Sequence, residues 1–160
     1  IKFGYGKLMI RAKIPTTKDC RPAIWLKALN SSNQLFGEID ILEHWPEYGK
    51  KEYQTNFHLW GRIKGENQSH TQYPIVVRKY NIANWHVYSV EYTNNSLVMK
   101  IDDQIVAQWN KNQLPDWPEN INYQLYLSLA CSTWSSNHVA ESVTLPQTMK
   151  GDWIKFYKWK

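Results

Sequence analysis

The sequence predicts an all-β protein, either an antiparallel sandwich or a barrel. Apolar and polar residues alternate along most of the chain, and a period of two is the period of a strand. The alternating runs are short, and segments rich in turn residues separate them. These segments are Asn30–Asn33, Trp45–Lys50, Lys64–His70 and Asn110–Asn120. No internal repeat and no change in composition divides the chain, so we expect a single domain over residues 1–160.

The first half of the chain contains four predicted strands. Lys7–Ile14 places apolar residues at every second position, from Leu8 to Ile14. Pro22–Leu26 places Ala23 and Trp25 opposite Ile24 and Leu26. Phe36–Trp45 is a third apolar run, and Tyr53–Trp60 is the fourth. In the fourth run, one face carries Gln54, Asn56, His58 and Trp60.

The second half begins with a predicted β-hairpin. Trp85–Thr93 and Ser96–Asp102 are joined by Asn94-Asn95, and asparagine tolerates the positive φ of a tight turn. A second turn at Asp102-Asp103-Gln104 leads into the next strand. The remaining predicted strands are Ile105–Trp109, Tyr123–Cys131 and Trp153–Trp159.

Composition excludes several classes of function. The net charge is +5, but the basic residues are scattered and form no run that could follow a phosphate backbone, so we expect no nucleic-acid partner. No apolar run approaches the ~20 residues of a transmembrane helix, so we expect no membrane span. The nine Trp residues exceed what a small core needs, and some should line a binding surface.

The two cysteines leave the redox compartment open. Cys20 and Cys131 permit one disulfide or none, and they lack the paired spacing of a zinc site. Each flanks a strand-like run, so each could also be a small buried apolar residue.

Three acidic residues lie inside one strand-like run. Glu38 and Asp40 are two positions apart and share a face. Glu43 would point to the opposite face of a regular strand, because its separation from Glu38 is odd. A β-bulge near Ile41-Leu42 would return Glu43 to the face of the other two acids.

Three carboxylates on one face cannot all ionise without cost, so at least one pKa should rise. This suits glycoside hydrolysis, which needs one ionised and one protonated carboxyl group side by side. Two other interpretations remain open at this point. The acids could lie on an exposed edge strand and pair with water, Lys or Arg, or they could form a calcium site.

The acidic run also matches a family signature. Glu38–Glu43 has the bulged E-x-D-x-x-E pattern of glycoside hydrolase family 16, and the chain resembles that family along almost its whole length. The other matching segments, in order, are Phe3–Lys7, Ile10–Pro15, Pro22–Leu26, Asn56–His58, Trp85–Tyr92, Leu125–Trp134 and Asp152–Tyr157.

The resemblance implies a concanavalin-like β-jelly-roll sandwich of two curved antiparallel sheets, with a substrate cleft on the concave face. It also implies endo-acting, retaining hydrolysis. By position, Glu38 is the nucleophile, Glu43 is the general acid/base, and Asp40 tunes the nucleophile. Retaining enzymes hold their two carboxyl groups ~5–5.5 Å apart.

Cleft residues are expected from the resemblance and from the face they share with the acids. Arg21 stands where glucan-cleaving members often have Trp, and a guanidinium binds anions or stacks on sugars differently from an indole. His58 belongs to the cleft histidine strand, and a buried structural histidine is its alternative. The expected substrate-binding residues are Trp25, Arg21, His58, Trp45, Trp60 and Trp134.

The resemblance also suggests the partners and the location. The substrate is expected to be a polysaccharide, preferably β-1,3- or mixed-linkage glucan. The alternatives are β-galactans of the agar, carrageenan or mucin type, or a non-catalytic carbohydrate-binding module. We expect a secreted, periplasmic or cell-surface monomer.

No cofactor is expected. A structural calcium ion is possible in the family, and Asp152 would contribute to its site, but the usual partners lie in strands that precede the Phe3–Lys7 segment. We therefore predict no metal. For the same reason, an edge of a sheet or part of the core should be exposed.

Overall fold

The fold consists of short β-strands joined by turns. The computed structural model describes residues 2–17, 20–29, 36–45, 47–61, 69–114, 117–130 and 146–159. The strands are β1 (Lys2–Phe3), β2 (Gly6–Lys13), β3 (Arg21–Ala28), β4 (Phe36–Glu43), β5 (Tyr53–Gly61), β6 (Ser69–Gln72), β7 (Ile75–Val77), β8 (His86–Tyr92), β9 (Ser96–Ile101), β10 (Gln104–Asn110), β11 (Tyr123–Ala130) and β12 (Lys150–Lys158). A single turn of 3₁₀-helix, Lys111–Gln113, is the helical element of the described ranges, and none of these residues forms a helix that could cross a membrane.

The strands form two antiparallel sheets. The first sheet has the order β1-β11-β3-β4-β5-β6, and β7 pairs with the start of β5. The second sheet has the order β10-β9-β8-β2-β12. The all-β prediction is therefore confirmed.

The core lies between the two sheets. In β2 and β3 buried residues alternate with more exposed ones, which matches the period predicted for both strands. Aromatic side chains of one sheet contact those of the other with ring centroids about 5.5 to 6.2 Å apart. These pairs are Tyr53–Tyr88, Phe57–Trp109 and Tyr92–Tyr123.

The predicted hairpin is present between β8 and β9, but its turn is built differently. Neither Asn94 nor Asn95 has a positive φ, so that part of the prediction is wrong. The hydroxyl of Thr93 instead accepts hydrogen bonds from the backbone N–H groups of Asn95 (3.1 Å) and Ser96 (2.8 Å). These bonds satisfy the turn without left-handed backbone.

The left-handed backbone is found one turn later, between β9 and β10. Asp102 has φ 47° and Asp103 has φ 62°. Two successive positive φ values are the signature of the tight hairpin turn that matches strand twist.

Two strands, β6 and β7, were not predicted from the sequence. Ser69 and His70 fall in a segment predicted as a turn but begin β6, and β7 has three residues. Neither strand is long enough for an apolar alternation. Both are stabilised instead by backbone pairing with β5.

One side of the sandwich is open in the part of the chain that the structure describes. Leu127 of β11 and Ile154 of β12 lie beside core positions but are 48% and 49% exposed. Between these strands lies a groove of about 610 Å³ with a largely apolar lining. Cys20 is buried, and Cys131, its candidate disulfide partner, lies outside the described residues.

We expect Gly6→Ala to destabilise the protein and Gly151→Ala to have little effect. Both glycines lie in the β2–β12 pair. A Cβ on Gly6 would press against the backbone carbonyl of Tyr157 and lie 2.6 Å from the Phe156 ring, whereas a Cβ on Gly151 meets nothing within 4 Å. Thermal unfolding should show a loss of about 1–3 kcal/mol for Gly6→Ala. Equal midpoints for the two variants would contradict the close packing of β2 on β12.

Candidate active site

The three acids of β4 are brought to one face by a bulge. Ile24 of β3 pairs with Leu42 and Trp25 pairs with Asp40, so Ile41 is an extra residue on β4. The register with β5 shifts in the same interval, between Asp40 and Glu43. The predicted bulge near Ile41-Leu42 is confirmed.

The three acids lie on the outer face of the first sheet, which points away from the core. Glu38 pairs in register with Lys27 of β3 and His58 of β5. Glu43 pairs with Ala23 and Gln54 on the same two strands. The acids are therefore flanked on both sides by strands whose alternating residues share this face.

Glu43 is held by a short chain of polar contacts. Gln54 Nε2 donates to Glu43 Oε2 at 3.4 Å. The hydroxyl of Tyr48, in the loop after β4, donates to Gln54 Oε1 at 3.3 Å. These contacts orient the Glu43 carboxyl group on this face.

Asp40 is the most buried of the three acids, with 2% of its surface exposed. Its backbone carbonyl accepts a 2.7 Å hydrogen bond from the Thr55 hydroxyl, which fixes the strand at the bulge. His58 Nε2 lies 2.8 Å from Asp40 Oδ2. The buried carboxyl group therefore has an imidazole as its neighbour on β5.

His58 continues this contact toward β6. Its Nδ1 lies 2.8 Å from His70 Nε2, and the two rings are nearly parallel. The Trp60 ring lies nearly parallel to both imidazoles, with centroids 5.2 Å from His58 and 4.8 Å from His70. The three rings form a flat aromatic surface beside the acids.

A second aromatic pair lies on the other side of the acids. Trp25 stacks on Tyr126 of β11, with ring centroids 4.5 Å apart and an interplanar angle of 20°. Trp25 Nε1 also donates to the Ser128 hydroxyl at 2.8 Å, which fixes the indole plane.

Burial controls the protonation of the acids. Desolvation, reinforced by the charge of Asp40, raises the pKa of Glu38 to about 7 and that of Glu43 to about 7. Desolvation also raises the pKa of Asp40 to about 7. The hydrogen bond between Asp40 and Glu43 lowers the pKa of Asp40 and raises that of Glu43, so the shared proton is held on Glu43. Burial lowers the pKa of His58, which favours the neutral imidazole.

Two cations lie at opposite ends of β3 on the same face. The charge of Lys27 acts on Glu38 and lowers its pKa, and the charge of Arg21 does the same for Glu43. Both effects are smaller than desolvation. The cations reduce the cost of ionising the acids without reversing their raised pKa values.

The structure brings most of the predicted residues together. Glu38, Asp40 and Glu43 share the outer face with Trp25, His58, Trp60 and Arg21, and Trp45 lies against Arg21. Trp134 lies outside the described residues. Sequence reasoning missed Lys27, His70, Tyr126 and Gln54. The sequence does contain a signal for Gln54, because the predicted alternation of β5 puts it on the same face as His58. It contains none for His70, which lies on β6, a strand that was not predicted.

One group of side chains in the described residues could hold a metal ion. In the described ranges, Glu38, Asp40 and His58 place potential ligand atoms within 4.8 Å of one another. Because His58 already contacts Asp40 directly, a cation there would have to replace that contact. Asp152, the expected contributor to a calcium site, is ion-paired with Arg11.

The sequence matches the family model for glycosyl hydrolases family 16 over residues 1–155. The chain belongs to family 16. A β-glucanase of Rhodothermus marinus is 24% identical over 178 residues, which cover 98% of this chain and 58% of that relative. The chain therefore spans little more than half the length of this relative.

Solved structures of similar fold support the jelly-roll prediction. A structure from work on endo-acting O-glycanases of human gut microbiota, which initiate mucin breakdown, is 25% identical with a TM-score of 0.79. The match covers 99% of this chain and 59% of that one. The laminarinase catalytic domain of Thermotoga maritima has a TM-score of 0.76 at 24% identity, covering 100% of this chain and 66% of that one. The family 16 jelly roll is thereby confirmed as the fold.

The stability of the protein should fall as the pH rises from about 4 to about 8. Unfolded carboxyl groups release their protons near 4, whereas Glu38, Asp40 and Glu43 hold theirs to about 7 in the folded state. In this interval the folded state binds more protons, so each step up in pH favours unfolding. Thermal unfolding midpoints measured across the interval should show this decline.

Asp40→Asn should reduce the decline, because it removes a buried ionisable group. Glu47→Gln is the matched control, since Glu47 is an exposed carboxylate in the loop after β4. A decline of the same size in Asp40→Asn and Glu47→Gln would contradict the role assigned to burial.

Proposed function

We propose that this protein is a retaining endo-β-glycanase that cleaves internal bonds of a polysaccharide by double displacement. The observation that carries the proposal is the bulge, which places Glu38 and Glu43 on one face with Asp40 between them. The raised pKa values add support, because a carboxyl group that is neutral near pH 7 is what a general acid requires.

In the first step, the ionised carboxylate of Glu38 attacks the anomeric carbon of the bound sugar. The bond from that carbon to the leaving sugar's oxygen breaks, and Glu43 donates its proton to this oxygen. Asp40 favours this distribution, because its hydrogen bond with Glu43 keeps the proton on Glu43. Lys27 favours it from the other end by lowering the pKa of Glu38.

In the second step, Glu43 is a carboxylate and acts as a base. It takes a proton from a water molecule, whose oxygen attacks the anomeric carbon and releases Glu38. Two inversions at one carbon retain its configuration. Carboxyl groups supply every proton transfer and the nucleophile, so the proposed reaction needs no metal or cofactor, and we expect chelators to leave activity unchanged.

The preferred substrate is β-1,3- or mixed-linkage glucan. This choice is supported by the similarity to a β-glucanase along nearly the whole chain. Polysaccharides do not cross membranes unaided, so the enzyme should act outside the cell. We also propose that the protein is a monomer.

A β-galactan or mucin-type chain is the second candidate. It is supported by the similarity to the structure from mucin O-glycanase work. A non-catalytic binding module is less favoured, because a binder has no need of three clustered carboxyl groups with raised pKa values.

Glu38→Ala should abolish turnover while the protein stays folded. The variant removes the group that forms the covalent bond, and its loss also relieves repulsion with Asp40 and Glu43. Azide should restore cleavage of an activated glycoside with inverted configuration, detected by NMR of the glycosyl azide. Near-normal activity of the folded variant would show that Glu38 is not the nucleophile.

The activity of the Glu43→Ala variant should depend on the leaving group of the substrate. An activated aryl glycoside needs little protonation, so its cleavage should suffer far less than that of a polysaccharide. The measurement is the rate of the first step on a series of aryl glycosides whose leaving groups differ in pKa. Equal losses on all of them would exclude Glu43 as the acid.

Reducing-sugar release on a panel of polysaccharides tests the substrate class. Laminarin and mixed-linkage glucan should be cleaved to oligosaccharides, with internal cuts seen by product chromatography. Cleavage confined to galactans or mucin-type chains would favour the second candidate. Calorimetric binding without any products would favour the module.

A further inference from the structure

The side-chain amide of Asn56, two residues before His58 on β5, has a fixed orientation. Asn56 is buried, and its Oδ1 lies 3.0 Å from the backbone nitrogen of Tyr73. A backbone N–H can only donate, so the atom that faces it must be the amide oxygen. The same N–H also points to the Phe57 carbonyl, at 3.1 Å. The amide nitrogen of Asn56 is therefore the atom that faces His58.

This orientation selects one protonation form of His58. The Nδ2 of Asn56 lies 2.8 Å from His58 Nε2. An amide nitrogen is a donor only, so a proton on Nε2 would place two donors face to face. Nε2 must then carry its lone pair, and the proton of the neutral ring lies on Nδ1. The imidazolium form, with protons on both nitrogens, is disfavoured by the same contact.

His70 receives the proton that this tautomer carries. His58 Nδ1 lies 2.8 Å from His70 Nε2, and the two rings are nearly parallel. With the proton of His58 on Nδ1, His70 accepts it through a bare Nε2, and the proton of the neutral His70 ring lies on Nδ1. The two polar neighbours of His58 therefore favour the same tautomer, although they lie on different strands.

The bare nitrogen of His58 faces a buried carboxyl oxygen. His58 Nε2 lies 2.8 Å from Asp40 Oδ2, which has almost no exposed surface. Two hydrogen-bond acceptors at this distance repel each other unless a proton lies between them. Since Nε2 carries no proton, Asp40 must supply it. The arrangement therefore favours a neutral Asp40 whose O–H group donates to His58.

We propose that Asn56 and His70 are positioning residues that hold His58 as the Nδ1–H tautomer. In this form, His58 Nε2 accepts a hydrogen bond from the carboxyl group of Asp40. The inference rests on the proposed hydrolysis and deepens it. An ionised Asp40 raises the pKa of Glu38 by charge repulsion. A neutral Asp40 leaves Glu38 easier to ionise, and the ionised form is the one that a nucleophile needs.

The tautomer of His58 is measured directly by ¹⁵N NMR of the imidazole rings. Protonated and bare ring nitrogens give separate resonances, and the His58 signals are assigned from their absence in His58→Gln. Below pH 7, where Asp40 holds its proton, the wild type should carry the His58 proton on Nδ1 alone. Asn56→Asp should place a proton on Nε2, because the new carboxylate accepts where the amide donated.

His70→Phe removes the acceptor while keeping a ring against Trp60. A fraction of His58 should then carry its proton on Nε2, where it favours an ionised Asp40. Because that charge raises the pKa of Glu38, the acidic limb of the kcat/KM profile on laminarin should move up by as much as about one pH unit, the equivalent of one hydrogen bond. His70→Gln, which offers an amide oxygen, should recover part of the shift.

Other charged groups act on the same carboxyl groups and stay unchanged in these variants. They are Glu43 on β4 and Lys27 and Arg21 on β3. The matched control is Gln72→Ala, because Gln72 is another exposed residue of β6 and pairs in register with His58. It should change neither the tautomer nor the pH profile. His70 is exposed as well, so the test does not depend on whether a variant of the buried Asn56 folds.

A wild-type His58 that carries a proton on Nε2 below pH 7 would overturn the inference. So would a tautomer and an acidic limb that are the same in His70→Phe and in the wild type. Neither result touches the roles of Glu38 and Glu43, which are tested by their own variants. Absence of cleavage on every glycan, with the His58 proton on Nδ1, would overturn the hydrolysis and the catalytic use of the tautomer, but not the tautomer itself.

Discussion

One extra residue in β4 is the constraint on which the site depends. Without the bulge at Ile41, the odd spacing would turn Glu43 toward the core, where an acid has no partner. With it, three carboxyl groups share the outer face while the strand still contributes Ile39 and Leu42 to the core. The core packing behind the sheet holds the acids together against their mutual repulsion, and desolvation by burial raises the pKa of all three.

The three acids have different neighbours, and these neighbours favour different protonation states. Lys27 favours ionisation of Glu38, and the hydrogen bond from Glu43 to Asp40 favours a neutral Glu43. Burial lowers the pKa of His58, which lies 2.8 Å from Asp40, and in its charged form His58 lowers the pKa of both Glu38 and Glu43. The proposed nucleophile and the proposed general acid can therefore coexist on one strand because their neighbours differ, although both are half-buried glutamates.

Local patterns were enough to predict the strands that contain a full alternation, and spacing alone was enough to predict the bulge. The aromatic surface around His58 was predicted only in part, because its third ring comes from β6, a polar strand of four residues with no pattern of its own. Tyr126 was missed for a different reason. Its run alternates clearly, but the contact with Trp25 depends on the pairing of β11 with β3 across about a hundred residues of chain, which alternation does not specify. The Thr93 turn shows a third limit, since a side-chain hydroxyl replaced the backbone conformation that the asparagines suggested.

The order of the first sheet shows how these parts could serve one substrate. Tyr126 and Trp25 lie on β11 and β3, the acids on β4, and Trp60 and His70 on β5 and β6. Rings that offer flat apolar surfaces to sugars therefore lie on both sides of the acids. A glycan crossing the strands would have its scissile bond at β4 and further sugars over each aromatic surface, so binding energy from both directions would hold that bond in place. An enzyme that removed terminal sugars would need only one of these surfaces, and it is the presence of both that makes internal cleavage the better interpretation.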